Sequence, residues 1–282
     1  MTFEIRKILD VGAGHPVVAR LGMQISDLLN WAGFEKPKRD AIFSLYIHTL
    51  TSRLLRCYAS RDEILRLRNE SVSSVKKQSN QNMQEVPQVV GLQALAEQFL
   101  YEAKNYLRDI LVLFEIVYGC PLKDASAFAD TKDKGDGDFV KWATEKFGTA
   151  NSFAAMVRAD QRWITEIIRK RNAVEHPGGH SGTLTIQNIR VNNEKEWVGT
   201  YIPPTWQRTG RVESDILQDM NCNLDNLLTF AEDVLVEILK REEPTKTIAF
   251  YEIPADERDP QCPVRIRVDL SPEMLAKFPR AW

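Results

Sequence analysis

Three long stretches of this chain repeat apolar residues at intervals of three and four, the spacing of one face of an α-helix. They cover residues 91–119, 151–175 and 214–240. Two shorter stretches, 17–29 and 38–58, show the same spacing. Helices that each carry one apolar face must bury those faces against one another. The sequence therefore predicts a mainly α protein built around a helical bundle.

Between the last two long helical stretches the apolar period shortens to two residues, which is the period of a β-strand. Residues 184–191 alternate between apolar and polar side chains, residues 192–195 supply a polar turn, and a second apolar run follows. This pattern predicts a β-hairpin inserted at 183–203. Two further strand-like runs, 247–253 and 264–268, predict a short β-rich tail.

A polar run at 71–82 is the best candidate for a boundary, because such a segment buries little surface. Shortly before it, Ser60 followed by Asp62 and Glu63 predicts an N-cap that opens a new helix. We therefore predict three parts: an N-terminal helical region at 1–85, a helical domain with the hairpin insertion at 86–245, and the tail at 246–282.

The bulk properties exclude several classes of protein. A net charge of −2 over 282 residues gives no overall attraction to nucleic acid, so RNA binding would need a local basic patch. The four cysteines are far apart and lack metal-ligand spacing, which argues against a structural zinc site and fits a reducing cytoplasm. We expect no metal site and no cofactor. The charged N-terminus does not resemble a signal peptide, and no run approaches the roughly 18 apolar residues of a membrane span. We expect a soluble, cytoplasmic protein without a membrane partner.

Candidate functional residues lie at the end of the second long helical stretch. Arg171 falls in the middle of the apolar stripe formed by Ile164, Ile167 and Ile168. A guanidinium there needs an acidic partner, a phosphate or a cleft open to water, because desolvating the charge is costly. His176 precedes Pro177, and the residue before a proline disfavours the helical conformation. The helix is thus predicted to end at or beside His176.

This pair of side chains suits RNA transesterification. The 2′-hydroxyl must lose a proton, the 5′-oxygen must gain one, and negative charge builds up on the phosphorus centre. A histidine moves protons near neutral pH, and an arginine can bind phosphoryl oxygens with two hydrogen bonds. Arg162, Arg169 and Lys170 on the same predicted helix form a candidate patch for the RNA backbone.

The segment from Arg171 to His176 reads Arg-Asn-Ala-Val-Glu-His. An Arg-Asn-x-x-x-His motif at the end of a bundle helix resembles the HEPN superfamily, over roughly residues 91–240. The resemblance implies that Arg171 binds phosphate, Asn172 orients the site and His176 is the acid and base. It also implies a homodimer with a shared cleft that cuts RNA without metal and leaves a cyclic phosphate.

Such proteins often act as toxins or in anti-phage defence, so the resemblance also implies an antitoxin or nucleotidyltransferase partner. The alternative that the motif leaves open is a HEPN-like module that binds RNA, a nucleotide or a protein without cleaving. Structural interpretations also stay open for the motif residues. Arg171 could pair with Glu97 or Glu102, and His176 could bond to the helix-terminal carbonyls. His180 is either an additional RNA-binding residue or a solvated loop residue.

Two other patterns resemble known motifs but lack residues that those motifs require. The glycine loop at 8–14 resembles that of Rossmann-like methyltransferases, but it lacks a third glycine and no alternation of strands and helices follows. The aspartates between Asp130 and Asp138 suggest a calcium loop. Lys132, Lys134 and Lys141 would then stand at ligand positions of an EF-hand, which excludes that motif.

Overall fold

The computed structural model describes residues 10–78, 86–131, 135–191, 201–242 and 247–277. Helices account for 64% of it and strands for 11%, and the strands form small antiparallel sheets. The prediction of a mainly α protein is therefore confirmed at the level of fold class. Within the described ranges, no helix combines the length and apolar character needed to cross a membrane.

Two helical runs open the described part of the chain. The first joins α1 (Pro16–Val18), a π-helical segment (Ala19–Met23) and α2 (Gln24–Asn30). The second joins α3 (Lys36–Ser44), a π-helical segment (Leu45–Leu50) and α4 (Thr51–Gln78). The later helices are α5 (Leu92–Tyr118), α6 (Asp138–Phe147), α7 (Ser152–Glu175), α8 (Ile216–Glu242) and α9 (Pro272–Lys277), with short 3-10 turns at Ala125–Phe128 and Ala255–Glu257.

One predicted boundary in this region is wrong. The helix does not restart at Ser60, because α4 runs through that position without a break. Leu54, Cys57 and Ile64 are all fully buried, and Ser60 itself is 3% exposed on the same helix. The apolar face is thus continuous across Ser60, and its burial outweighs a local capping signal. The helical part of the polar run ends at Gln78, and the rest of it lies outside the described residues.

The strands among the described residues form three small antiparallel sheets. The first contains β1 (Leu184–Gln187), β4 (Thr205–Arg208) and β5 (Ser214–Asp215), with Leu184 opposite Arg208. The second pairs β2 (Arg190–Val191) with β3 (Tyr201–Ile202), and the third pairs β6 (Ile248–Glu252) with β7 (Ile266–Leu270). The strands expected in the hairpin and the tail are present, although the first sheet extends beyond residue 203. The predicted turn at 192–195 lies outside the described residues.

The described residues group into two compact units. The first comprises those within Met1–Ser52, Val112–Cys120 and Leu228–Trp282, and the second those within Arg53–Leu111 and Pro121–Leu227. The domain boundaries that the sequence suggests at 85/86 and 245/246 stay predictions. All candidate site residues belong to the second unit.

The first unit is organised around a carboxylate without solvent contact. Glu232 on α8 is 0% exposed and accepts hydrogen bonds from Arg20 Nε (2.9 Å), Arg265 Nε (2.9 Å) and Gln24 Nε2 (2.7 Å). The other amide atom of Gln24, Oε1, accepts from the backbone nitrogens of Arg265 and Ile266, each at 2.7 Å. A buried carboxylate is tolerated only when opposite charges and hydrogen bonds surround it. Glu232 therefore joins the first helical run, α8 and the start of β7.

In the second unit, aromatic side chains fix α7 against its neighbours. Phe139 of α6 lies 4.5 Å from Phe128 and 6.1 Å from Phe153 between ring centroids, and Phe153 begins the buried face of α7. Asn151 caps this helix, because its Oδ1 accepts from the backbone nitrogen of Phe153 at 3.0 Å. These contacts anchor the start of α7 against α6 and the 3-10 turn at Ala125–Phe128.

The Glu232 network generates a stability prediction. Replacing Glu232 with glutamine removes the shared negative charge from two buried guanidiniums, so the free energy of unfolding should fall by about 3–5 kcal/mol. Chemical denaturation followed by circular dichroism measures this loss. Glu70→Gln is the control: it makes the same change in an exposed pair with Arg66 and should leave stability almost unchanged. A loss below about 1 kcal/mol for Glu232→Gln would contradict the network's role.

Candidate functional site

The candidate site lies where α7 ends. The last helical hydrogen bond runs from the backbone nitrogen of His176 to the carbonyl of Asn172 at 2.9 Å. His176 then adopts φ −130° and ψ 71°, outside the helical region, and Pro177 follows. The predicted end of the helix at His176 is therefore confirmed. The reason is the restriction that a proline imposes on the preceding residue.

A tight turn brings the chain back toward the helix end. Gly178 and Gly182 have φ values of +77° and +76°, which favour glycine. The turn is closed by hydrogen bonds from Gly179 N to His176 O (3.0 Å), from Gly182 N to Gly179 O (2.9 Å) and from Gly178 N to Gly182 O (3.1 Å). As a result, His180 returns to the end of α7.

A pocket of about 280 Å³ opens at this point, and we call it the terminal pocket. Its lining side chains are all polar or charged: Lys104, Ser126, Asn172, Glu175, His176, His180 and Ser181. Three residues predicted from the sequence, Asn172, His176 and His180, are thus brought together. The side chain of His176 is 72% exposed, so its imidazole is open to solvent and to a ligand.

Lys104 is a member of the pocket that the sequence analysis missed. It comes from α5, and its Nζ donates to Oδ1 of Asn172 at 2.8 Å. Burial and the nearby charge of Arg171 lower the pKa of Lys104, while the charge of Asp124 acts in the opposite direction. A lysine beside the apolar face of a helix carries no sequence signal of its own, because its partner lies 68 positions away.

Arg171 lies beside the pocket rather than in its lining. Its side chain is 17% exposed and forms an ion pair with Glu175, one turn further along α7. Its guanidinium carbon lies 5.8 Å from the ring centroid of Tyr101. The alternative interpretation, a pairing of Arg171 with Glu97 or Glu102, is not found among the described residues. Glu102 instead accepts from Arg53 at 2.9 Å and Arg56 at 3.3 Å, and Glu97 accepts from Gln93 at 2.9 Å.

Glu175 links the arginine and the histidine of the motif. The same oxygen, Oε2, pairs with the guanidinium of Arg171 and lies 3.7 Å from Nε2 of His176. The carboxylate therefore occupies a position between a cation and an imidazole. A phosphoryl oxygen that bridged the two side chains at this position would compete with the carboxylate of Glu175. In the described part of the chain, the imidazole of His176 has no hydrogen bond to a helix carbonyl.

The predicted RNA-binding cations on α7 fall into two groups. Arg169 pairs with Asp130, and buried Lys170 pairs with Asp219 while its Nζ lies 4.4 Å from the ring centroid of Trp206. Arg162 is exposed and has no such partner among the described residues. It lines a second cavity of about 810 Å³, which we call the arginine cavity.

One hydrogen bond links the lining of the arginine cavity to that of the terminal pocket. The arginine cavity is lined by Arg158, Arg162, Arg208 and Arg211 together with several carboxylates. Arg208 connects the two, because its Nη1 donates at 3.2 Å to the carbonyl of Ser181, which lines the terminal pocket. Most of its positive charge is neutralised locally, as Asp136 pairs with Arg158, and Glu166 pairs with both Arg208 and Arg211.

The structure describes only part of the two patterns that were rejected from the sequence. Asp130 and Asp136 are engaged by arginines, while Lys132 and Lys134 lie outside the described residues. The strand needed before the loop at 8–14 also falls outside the described ranges. Within those ranges, no group of three or more histidine, cysteine, aspartate or glutamate side chains could hold a metal ion.

Comparisons with known proteins find no match. No family model matches the chain, and neither a curated protein nor a solved structure matches it. The HEPN resemblance therefore rests on the motif from Arg171 to His176 and on its position at a helix end.

The turn after α7 generates a prediction about the shape of the terminal pocket. A Cβ at Gly182 would lie 2.6 Å from Cβ of Thr209, and the positive φ adds strain. Gly182→Ala should therefore lower the free energy of unfolding by at least about 1–3 kcal/mol and shift the imidazole resonances of His176 and His180 in NMR spectra. Gly12→Ala is the control, because a Cβ there meets nothing within 4 Å. Unchanged histidine resonances in the Gly182 variant would show that the turn does not shape the pocket.

Proposed function

We propose that this protein is a metal-independent endoribonuclease of the HEPN type, with RNA as its substrate and partner. The observation that carries the proposal is the terminal pocket, which gathers Asn172, His176 and His180 at the end of one helix. The exposed imidazole of His176 can reach a bound polynucleotide, and proton transfer by a histidine is effective near neutral pH.

The proposed reaction needs only proton transfer and charge stabilisation. The 2′-oxygen of the RNA attacks the adjacent phosphorus, the bond from phosphorus to the 5′-oxygen breaks, and a 2′,3′-cyclic phosphate forms. One imidazole takes the proton of the 2′-hydroxyl, and a second, protonated imidazole gives a proton to the departing 5′-oxygen. A homodimer of the kind formed by HEPN proteins would supply two copies of His176 to one cleft.

In this proposal Arg171 binds the phosphate, which competes with the carboxylate of Glu175 for the guanidinium. A guanidinium can bind two phosphoryl oxygens at once, and it stabilises the charge that develops in the transition state. An incoming phosphate must therefore displace the carboxylate of Glu175 from Arg171. Action as a toxin or an anti-phage effector, restrained by an antitoxin or nucleotidyltransferase partner, belongs to the same proposal.

The second candidate function is a non-catalytic HEPN-like module that binds RNA, a nucleotide or a protein. The observation that favours it is the ion pair between Arg171 and Glu175, which already satisfies the guanidinium. A cleavage assay separates the two candidates, because only the nuclease produces cyclic phosphate ends.

Removal of His176 is the direct test of the nuclease. Purified protein in EDTA should cut RNA, and His176→Ala should reduce the rate about 10²- to 10⁴-fold, because a general acid–base group is lost. The melting temperature should change little, since this side chain is 72% exposed. His48→Ala removes another exposed histidine and should cut at the wild-type rate. Cleavage by the His176 variant at the wild-type rate would remove this residue from the mechanism.

Removal of the Glu175 carboxylate should strengthen substrate binding. Glu175→Gln frees Arg171 from its competing anion, so KM for RNA should fall about two- to fivefold, the range of an exposed ion pair. Steady-state kinetics on a short RNA measure this change. Glu145→Gln on α6 removes the same charge from an exposed position and should leave KM unaltered. A higher KM in the Glu175 variant would show that the carboxylate assists binding.

A further inference from the structure

The positive charge inside the terminal pocket comes from α5. Lys104 lines the pocket, whereas Arg171 does not belong to its lining and is held between Glu175 and the ring of Tyr101. Within the part of the chain that the structure describes, no carboxylate lies within ion-pair distance of Lys104. By contrast, Arg169, Lys170 and Arg171 each have one. Lys104 is thus the cation that remains available to an anion at this position.

The hydrogen bond from Lys104 also determines how Asn172 is oriented. An ammonium group can only donate, so the atom of the Asn172 side chain that faces Lys104 must be the carbonyl oxygen. The two N–H groups of the amide then point away from Lys104. No acceptor for them is found among the described residues. Lys104 keeps two of its three donors and the amide keeps both of its N–H groups, so four donors remain available to a ligand.

We propose that Lys104 and Asn172 form the subsite that holds the scissile phosphate, with Lys104 supplying the charge and fixing the direction of the Asn172 amide. This inference rests on the proposed nuclease function and changes the assignment of its phosphate ligand. His176 and His180 line the same pocket, so a phosphodiester bound at Lys104 lies beside the groups that move protons. Arg171 then lies beside the subsite, and a phosphate must compete with the carboxylate of Glu175 to reach it.

Binding of an RNA that cannot be cut tests the subsite without relying on catalysis. The probe is a fluorescein-labelled oligonucleotide with 2′-O-methyl groups, titrated with the full chain and followed by fluorescence anisotropy. Lys104→Met should raise Kd about tenfold or more, because a charged hydrogen bond to phosphate is lost. Lys104→Arg should keep most of the affinity. Lys141→Met removes one exposed positive charge from α6 and is the control, with a change in Kd below about twofold.

A double variant tests separately whether Lys104 orients Asn172. If Lys104 acts partly through Asn172, the effects of Lys104→Met and Asn172→Ala on Kd should not multiply in the double variant. The melting temperatures of all variants should stay near that of the wild type, and Lys104→Gln serves as a second neutral variant if methionine disturbs folding. Independent effects of the two substitutions would overturn the positioning role of Lys104.

The outcomes distinguish the subsite from the nuclease. If the wild type cuts RNA and Lys104→Met binds and cuts equally well, the subsite is overturned and the nuclease stands. If the wild type binds the probe through Lys104 but produces no cyclic phosphate ends, the nuclease is overturned, and Lys104 and Asn172 stand as a phosphate-binding subsite without a cleavage role. If the wild type does not bind the probe at all, the subsite is overturned whatever the cleavage assay shows.

Discussion

The termination of α7 at His176 is the constraint on which the candidate site depends. Pro177 prevents the helix from continuing, and the turn between Gly178 and Gly182 sends the chain back along the helix end. Asn172 is contributed by the last turn of the helix, and His180 by the returning segment. A backbone restriction thus creates the pocket, and the side chains determine its chemistry.

Pairing decides which cations of the site are available to a ligand. Arg169, Lys170 and Arg171 are consecutive in the sequence, yet each is matched by a carboxylate: Asp130, Asp219 and Glu175. Lys104 and Arg162 have no such partner in the described ranges. A protein with a net charge of −2 can still present positive charge locally, because the potential at a cleft depends on unpaired charges more than on their total number.

The sequence predicts local features well and tertiary pairings poorly. Helical periodicity gave the extent of α7, and Pro177 gave its end, because both depend on neighbouring residues. The predicted start of a helix at Ser60 is wrong because the capping potential of a serine is a local signal. The buried face of α4 is continuous on both sides of this residue. Trp206 on β4 was missed because Pro203 and Pro204 interrupt the strand pattern. Lys104 could not be found at all, since no local pattern places α5 beside the end of α7.

Glu175 connects the stability of the helix end with its proposed function. Without a ligand, its carboxylate neutralises Arg171, whose side chain is only 17% exposed and would otherwise be a costly unpaired charge. The same carboxylate lies 3.7 Å from His176 and repels an approaching phosphate. A ligand must therefore supply enough binding energy to replace an interaction that the folded chain already makes. Lys104 has no carboxylate within ion-pair distance in the described part of the chain, so at the proposed subsite an anion has no existing ion pair to displace.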